Sequence, residues 1–526
     1  MKNPSAAEPI SPGLCRYLYF TAAVTGAAIM VVEILGAKML APYLGTSHFV
    51  WTAQIAVTLV ALACGYYFGG LWVDRSPKLS RLFACILAAA AYLCLTLPVM
   101  ERVAYACLDF QLALGSLLAS AFLFFTPLAL LAMTGPFLVR ILSRSVEGVG
   151  GNVGRLTAVS TLGSFIGTVL IGYVLVPLLP NSVTLYGTAA LLILTSVGFF
   201  VKWGGGFHGK IAAGLWLVAL GALLVGLPGA TPRKAGFPGQ GRELFRGNSY
   251  FGQLQVVEYT QEASGGERRR FFQNDYLVQN TYDPVARQSI SMFTAMLHGL
   301  ARAYTPRTEE VLCIGMGVGI VPMAFARDDA RVDVVEINPA VVPIAREFFD
   351  FEPARMQVVI DDGRHFVNAT THRYDAILLD AFLGDSSPTH LMSREAFEAM
   401  RRRLRPEGVL VMNCFGEFAP GRDFLVASLA RTLQAVFKNV RCHAAGNGNV
   451  FFVAGDAAEL KFIRPPDTSR EHELVRAQAE AAYSSLVEVE TARGRVLTDD
   501  FNPVEFHDAA NREQVRKQLA AAMRRP

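Results

Sequence analysis

The stretch Val311-Leu-Cys-Ile-Gly315-Met-Gly317-Val-Gly319 joins an apolar run to three closely spaced glycines. The apolar run predicts a buried strand, and the residues after Gly319 predict a helix. Glycines at such a junction let the backbone approach a ligand closely and leave helix-terminal N–H groups available to it. The stretch therefore predicts a strand–loop–helix unit with a binding site at its loop.

Three further apolar runs follow this loop, and each stops at acidic residues. They are 331–335 before Glu336, 356–360 before Asp361-Asp362-Gly363, and 374–379 before Asp380. Strands with acids at their carboxyl ends, alternating with helical stretches, are typical of an open parallel α/β sheet of the Rossmann type. Ligands of such sheets bind in the crevice outside those strand ends, so we expect a binding site there.

The first part of the chain has a different composition. The chain has 526 residues, of which 52% are hydrophobic and 17% are charged, and the apolar excess is concentrated before residue 230. Almost uncharged runs of about twenty residues predict transmembrane helices, which makes the lipid bilayer a partner of this region. We place about seven such spans at 14–40, 50–73, 80–99, 111–141, 153–178, 182–202 and 210–228.

Charge and cysteine content argue against two other classes of protein. The net charge is only +4, and no basic patch with interleaved aromatic residues occurs, so we expect no nucleic-acid partner. The eight cysteines are scattered through the chain. Their spacing predicts neither a disulfide framework nor a zinc site, so no metal is expected.

Basic residues mark alternate loops between the predicted spans. One set holds Arg75, Lys78 and Arg81, then Arg140 and Arg144, then Lys202 and Lys210. The positive-inside rule places these loops and the amino terminus in the cytoplasm. Seven crossings would leave the rest of the chain outside the cell. A nucleotide cofactor bound by the predicted α/β sheet would, however, be cytosolic. We give the cofactor argument more weight and expect a multi-pass protein of the cell (inner) membrane with a cytoplasmic soluble domain.

The order of these segments predicts five regions. They are a transmembrane helical bundle at 1–230, a linker rich in Gly, Pro and Arg at 231–247, a small antiparallel β subdomain at 248–283 with a turn at Asn274-Asp275, a Rossmann-like domain at 284–460, and a helical tail at 461–526. The acidic pair Asp499-Asp500 in the tail is a candidate third wall of the site.

The acids at the strand ends suggest the chemistry of the site. A carboxylate at Glu336 can accept both ribose hydroxyls of a nucleoside, although an exposed strand-end charge is the alternative. Asp362 beside Gly363 would meet an adenine amino group, or would only form an Asp-Gly turn. Asp380 would take a proton from an attacking ammonium, which has no lone pair of its own, or would only cap a helix.

Residues from about 248 to 455 resemble the spermidine synthase family, the polyamine aminopropyltransferases, and especially its membrane-embedded branch. The resemblance implies a small β domain followed by a class I methyltransferase-like domain. It implies transfer of an aminopropyl group from decarboxylated S-adenosylmethionine to an amine such as putrescine, with methylthioadenosine as product. Asp380 would then be the proton acceptor, and the nucleoside would be bound by Gly315, Gly317, Gly319, Glu336, Asp362 and Gly363.

The resemblance also implies residues that bind the amine. Asp275 and Gln279 match the family's Asp-Gly-x-x-Gln turn in spacing, with Tyr276 in place of its glycine. Gln253 lies near the family's Tyr-Gln site. Asp385 lies close to the family's second aspartate after the proton acceptor.

Two positions depart from the family pattern. The glycine loop of the family carries an acid that touches the donor's aminopropyl group, and Val318 takes its place here. Leu383 stands where the family has the second aspartate. Together with Phe382, these residues would suit a less charged acceptor, unless Asp385 or the acidic tail restores the charge.

Two other functions remain open at this point. One is a methyltransferase that uses intact S-adenosylmethionine. The other is a transporter-like bundle with a nucleoside-sensing domain, in which substrate flux would depend on Glu33 and Asp74. The sequence does not identify the acceptor, and it leaves a homo-oligomer open.

Overall fold

The computed structural model describes residues 10–45, 47–143, 149–204, 221, 240–261, 267–382, 388–444, 446, 448–509, 511–514 and 516–517. The chain divides into two compact units. The first comprises Met1–Leu44 and His48–Arg233, and the second comprises Gly45–Ser47 and Lys234–Pro526.

The first unit is helical. Among the described residues, six helices are long and apolar enough to cross a membrane, judged by length and composition. They are α1 (Pro12–Leu44), α2 (His48–Arg75), α3 (Leu79–Cys107), α4 (Leu112–Leu142), α5 (Val149–Leu178) and α6 (Asn181–Trp203). The span predicted at 210–228 lies almost entirely outside the described residues.

Small residues bring α1 and α5 into close contact. A Cβ atom added at Gly163 or Gly167 of α5 would overlap the backbone of Ala23 or Ala27 in α1. The same is true of Gly65 in α2, which lies against the backbone of α4. These glycines therefore let the helices approach closely, which favours van der Waals packing between them.

The second unit begins with a five-stranded antiparallel sheet. Its strands, which pair in chain order, are β1 (Gln240–Ser249), β2 (Gly252–Gln261), β3 (Glu267–Asn274), β4 (Leu277–Asp283) and β5 (Gln288–Ser289). The linker predicted at 231–247 is therefore wrong for residues 240–247, which belong to β1. This strand is mostly polar and lacks clear alternation, and its backbone pairing with β2 holds it in the sheet.

A tight turn joins β3 and β4 one residue later than predicted. Asp275 and Tyr276 form it, with φ values of 47° and 65°. Two consecutive residues with positive φ are the geometry of a type I′ hairpin turn. Tyr276 thus adopts a conformation in which glycine is preferred, at the position where the family has glycine.

A seven-stranded sheet with helices forms the rest of the second unit. Its strands are β6 (Glu310–Ile314), β7 (Arg331–Glu336), β8 (Gln357–Ile360), β9 (Tyr374–Leu379), β10 (Leu404–Phe415), β11 (Asn439–Ala444) and β12 (Asn449–Gly455). The helices are α7 (Met292–Tyr304), α8 (Ile320–Arg327), α9 (Val341–Phe348), α10 (Gly363–Ala369), α11 (Arg394–Arg403), α12 (Phe424–Val436), α13 (Glu473–Ser484) and α14 (Val504–His507). Much of the tail predicted to be helical is irregular, including residues 485–503.

The strand order is β11-β12-β10-β9-β6-β7-β8, and β12 alone of the seven runs antiparallel to its neighbours. This order, with the helices, confirms the predicted Rossmann-like, methyltransferase-like fold. Side chains alternate between two hydrophobic clusters, so Cys313 and Leu378 belong to one, and Ile314 and Leu379 to the other. The chain extends from β6 to β7 and β8 in one direction and then returns to β9 on the other side of β6. A crevice opens at such a reversal, outside the carboxyl ends of β6 and β9.

Candidate active site

The loop after β6 brings backbone atoms to this crevice. Gly315, Gly317 and Gly319 have φ values of 89°, 52° and 85°, which residues with a side chain rarely adopt. A Cβ atom at Gly315 would overlap the carbonyl oxygen of Asp380, because the amide of Asp380 donates to the Ile314 carbonyl at 3.0 Å. The glycines therefore keep the loop close to the end of β9.

Glu336 ends β7 beside this loop and is 9% exposed. Its Oε2 accepts from the Met316 amide at 3.1 Å, and its Oε1 accepts from the Asn338 amide at 2.8 Å. Burial raises the pKa of Glu336, and the backbone N–H groups of Asn338, Met316 and Ile337 oppose that rise. A carboxylate has about four acceptor positions, so the group can still accept a hydroxyl hydrogen from a ligand.

Asp362 caps helix α10. Its Oδ1 accepts from the amides of Arg364 at 2.9 Å and His365 at 3.0 Å, and its Oδ2 lies 2.8 Å from Nε2 of His390. Burial opposes ionisation, but the His365 amide and His390 outweigh it, and the pKa of Asp362 is lowered. These contacts are those of a helix N-cap rather than of the Asp-Gly turn given as the alternative, and the adenine role of Asp362 stays a prediction.

Asp380 follows β9 and contacts Asn413 of β10. Asn413 is 3% exposed, and its Nδ2 donates to Oδ1 of Asp380 at 2.9 Å. Burial raises the pKa of Asp380 to about 6, although the hydrogen bond from Asn413 acts in the opposite direction. A carboxylate with a pKa near neutrality is suited to accept a proton.

One cavity of about 390 Å³ connects these groups. Its lining includes Gly315, Gly317, Glu336, Asp362, Gly363, Asp380 and Gln279, together with Asp361, His390 and Asn413. Four carboxylates therefore face one space, and no Lys or Arg is among the described residues that line it. Such a site favours a cationic ligand over an anionic one.

Residues 291–445 match the Spermine/spermidine synthase domain. The polyamine aminopropyltransferase of Vibrio vulnificus is 30% identical over 222 residues, which cover 38% of this chain and 70% of that protein. The chain belongs to the spermidine synthase family. It is accordingly a transferase.

Two further similarities extend the comparison. Putrescine N-methyltransferase 2 of Nicotiana attenuata is 34% identical over 126 residues, which cover 22% of this chain and 34% of that protein. The spermidine synthase of Thermotoga maritima superimposes with a TM-score of 0.37 and 20% identity, covering 46% of this chain and 84% of that one.

The remaining residues predicted for the family site are not among those that line the cavity. Gly319 is set back from the lining and lies against the ring of Phe351. Asp275 accepts from the Gln253 amide at 3.0 Å, and its own amide donates to the Gln253 carbonyl at 2.9 Å, so this pair joins β2 to the hairpin turn. Asp385 lies outside the described residues.

The structure shows the surroundings of Val318, one of the two positions that depart from the family pattern. Its side chain is 1% exposed and belongs to the hydrophobic cluster on one face of the sheet. Val318 is not among the described residues that line the cavity, so it does not contribute to the apolar surface expected to suit a less charged acceptor. Phe382, by contrast, lines the cavity, with its ring centroid 5.3 Å from that of Phe415.

Sequence reasoning missed three polar residues of the site. Asn413 was hidden inside an apolar strand, where a single polar residue in the run 409–415 is the only signal. His390 lies in a loop whose conformation no local pattern indicates. Asn338 lies two residues after Glu336, is 4% exposed, and donates from Nδ2 to Oγ of Ser249 in β1 at 3.1 Å.

Proposed function

We propose that this chain transfers the aminopropyl group of decarboxylated S-adenosylmethionine to an amine, with Asp380 as the proton acceptor. The observation that supports this best is the cavity with four carboxylates and no described Lys or Arg. The donor is a sulfonium that also carries a primary ammonium, and the acceptor enters as an ammonium. Both substrates are cations, so the charge of the cavity complements both.

The proposed place of the donor follows from the strand ends. Its adenosine would lie across β6, β7 and β8, with the ribose hydroxyls on Glu336 and the adenine edge near Asp362. Gly315 and Gly317 leave room for the sugar and sulfur to approach the backbone. Because the Glu336 carboxylate is already fixed by two backbone amides, it loses little freedom when a ligand binds.

The chemical step needs one proton removed. The acceptor ammonium loses a proton to Asp380, and the freed nitrogen lone pair forms a bond to the carbon next to sulfur. The carbon–sulfur bond breaks, and methylthioadenosine leaves as a neutral thioether. The sulfonium is itself a good leaving group, so the protein contributes mainly the alignment of nitrogen, carbon and sulfur and the acceptance of the proton.

The described residues that line the cavity toward β10 and β12 are neutral apart from Asp380. Beyond Asp380, the described lining there consists of Phe382, Asn413, Phe415 and Asn449. A second ammonium would lose hydration in this region without meeting a carboxylate from these residues. We therefore expect a simple monoamine of similar length, such as butylamine, to be at least as good an acceptor as putrescine.

A second candidate is methyl transfer from intact S-adenosylmethionine to an amine. The apolar, buried Val318 favours it, because the site lacks the loop acid that would attract the donor's aminopropyl ammonium and repel a carboxylate. The similarity to a putrescine N-methyltransferase is consistent with this reading.

Calorimetric titration of the purified protein with each donor distinguishes the two candidates. Aminopropyl transfer predicts tighter binding of decarboxylated S-adenosylmethionine. Tighter binding of the intact compound would instead support methyl transfer.

We also propose that the first unit anchors the enzyme in the cell membrane. From a cytoplasmic amino terminus, six crossings by α1 to α6 return the chain to the cytoplasm at Lys202, at the end of α6. This agrees with the positive-inside rule and with a cytosolic donor.

A further inference from the structure

One wall of the proposed nucleoside site is a short turn. Thr389–Leu391 forms a 3-10 turn, and the segment contributes Pro388, His390 and Leu391 to the cavity lining. Nε2 of His390 lies 2.8 Å from Oδ2 of Asp362. The position of this turn therefore sets both the shape of the wall and the partner of the Asp362 carboxylate.

Arg364 links this turn to its surroundings. Its backbone amide is capped by Asp362, and its side chain is 19% exposed. Nη1 of Arg364 donates to the His390 carbonyl at 2.8 Å and to Oγ of Ser393 at 3.1 Å. One guanidinium thus joins the start of α10, the turn and the residue that caps α11.

The carboxy-terminal tail completes this arrangement. Asp499 binds the Arg364 guanidinium through two oxygens, at 2.8 Å to Nη2 and 3.3 Å to Nη1, and it accepts from Oγ of Ser393 at 2.5 Å. Nδ2 of Asn502 donates to the Thr389 carbonyl at 3.0 Å. The tail therefore acts on two neighbouring carbonyls of the turn. Asn502 donates directly to that of Thr389, and Asp499 acts on that of His390 through Arg364.

We infer that residues 497–502 act as a clamp on the nucleoside wall, with Asp499 as a positioning residue for donor binding. The inference rests on the proposed nucleoside site. Neither Asp499 nor Asp500 is among the described residues that line the cavity, so the expectation that this pair forms a third wall is wrong, and Asp499 acts through Arg364 and the turn.

The geometry distinguishes this clamp from an ordinary surface ion pair. A half-exposed pair with one contact contributes little. Here the pair is bidentate, and the Arg364 guanidinium also donates to the His390 carbonyl and to Oγ of Ser393, so less side-chain freedom is lost on forming it. The backbone is also tied down, because the Arg394 amide donates to the Leu497 carbonyl at 2.7 Å and the Asp499 amide donates to Glu395 at 3.0 Å.

The test compares Asp499→Asn with Asp500→Asn in the full-length protein. Asp500 is the adjacent carboxylate, is exposed, and makes no hydrogen bond or ion pair with the described residues, so its variant matches the charge change. Calorimetry with methylthioadenosine should show binding weakened about tenfold in Asp499→Asn and unchanged in Asp500→Asn. In turnover, Asp499→Asn should raise KM for the donor and leave kcat within about twofold, which a general loss of stability would not produce.

Asn502→Ala, which removes the direct contact to Thr389, should weaken methylthioadenosine binding in the same way and serves if Asp499→Asn folds poorly. Equal binding by wild type, Asp499→Asn and Asn502→Ala would overturn the clamp alone. Failure of the wild-type protein to bind methylthioadenosine at all would overturn the proposed function and the clamp with it.

Discussion

At the scale of single residues, the hydrogen bond from Asn413 adjusts the pKa of the Asp380 carboxylate. The carboxylate lies at the end of a fully buried strand, and burial raises its pKa to about 6. The hydrogen bond from Asn413 stabilises the ionised form and limits that rise. Asn413 therefore favours the ionised form of Asp380.

Because Asp380 must be ionised to accept a proton, kcat/KM should fall as the pH drops through about 6. Asn413→Ala removes a donor to the ionised form, so the pKa of Asp380 should rise and the acidic limb should move to higher pH. Initial rates measured between pH 5 and 9 would show this. An acidic limb that stays in place in Asn413→Ala would contradict this role of Asn413.

At the scale of elements, the loop after β6 depends on glycine for two separate reasons. Gly315 needs a positive φ, and a Cβ atom there would also overlap the Asp380 carbonyl. Gly421 has a φ of 85°, and a Cβ atom added there would meet nothing within 4 Å, so it shares only the first constraint. Comparing substitutions at the two positions therefore separates the cost of the backbone conformation from the cost of steric overlap.

We expect Gly421→Ala to lower the free energy of unfolding by roughly 1–2 kcal/mol, the cost of a left-handed alanine. Gly315→Ala should cost more and should also abolish nucleoside binding, because β6 and β9 must move apart at the site. Thermal unfolding and methylthioadenosine titration measure the two effects. Normal nucleoside binding by Gly315→Ala would show that the loop does not need this close approach.

The elements that the sequence predicts well are those with strong local patterns. The parallel strands ending in Glu336 and Asp380 could be predicted because apolar runs mark buried strands and their carboxyl ends share one edge of the sheet. Strand β1 was missed because its residues are mostly polar and do not alternate, although Leu244 and Phe245 pack against the core and its backbone pairs with β2. The link from Asp499 to Arg364 joins residues 135 positions apart, and no local pattern predicts such a contact.

At the scale of the whole molecule, the sequence predicts which side of the membrane holds the enzyme domain. The charge pattern and the six apolar helices of the described residues predict a cytoplasmic Lys202 at the end of α6, and a cytosolic donor predicts that the enzyme domain is cytoplasmic as well. A fluorescent protein fused to the carboxy terminus should therefore fluoresce, since it folds in the cytoplasm. A fusion after Asp109, between α3 and α4, should be dark and serves as the control. The opposite pattern would place the enzyme domain outside.

The central claim is that this cavity joins an adenosine sulfonium to an amine with Asp380 as proton acceptor. Mass spectrometry of products from the purified protein, decarboxylated S-adenosylmethionine and an amine tests it most directly. We predict methylthioadenosine and an aminopropylated amine from the wild type, and at least about 100-fold less of both from Asp380→Asn with donor binding retained. Normal turnover by Asp380→Asn, or no aminopropylated product from the wild type, would contradict the claim.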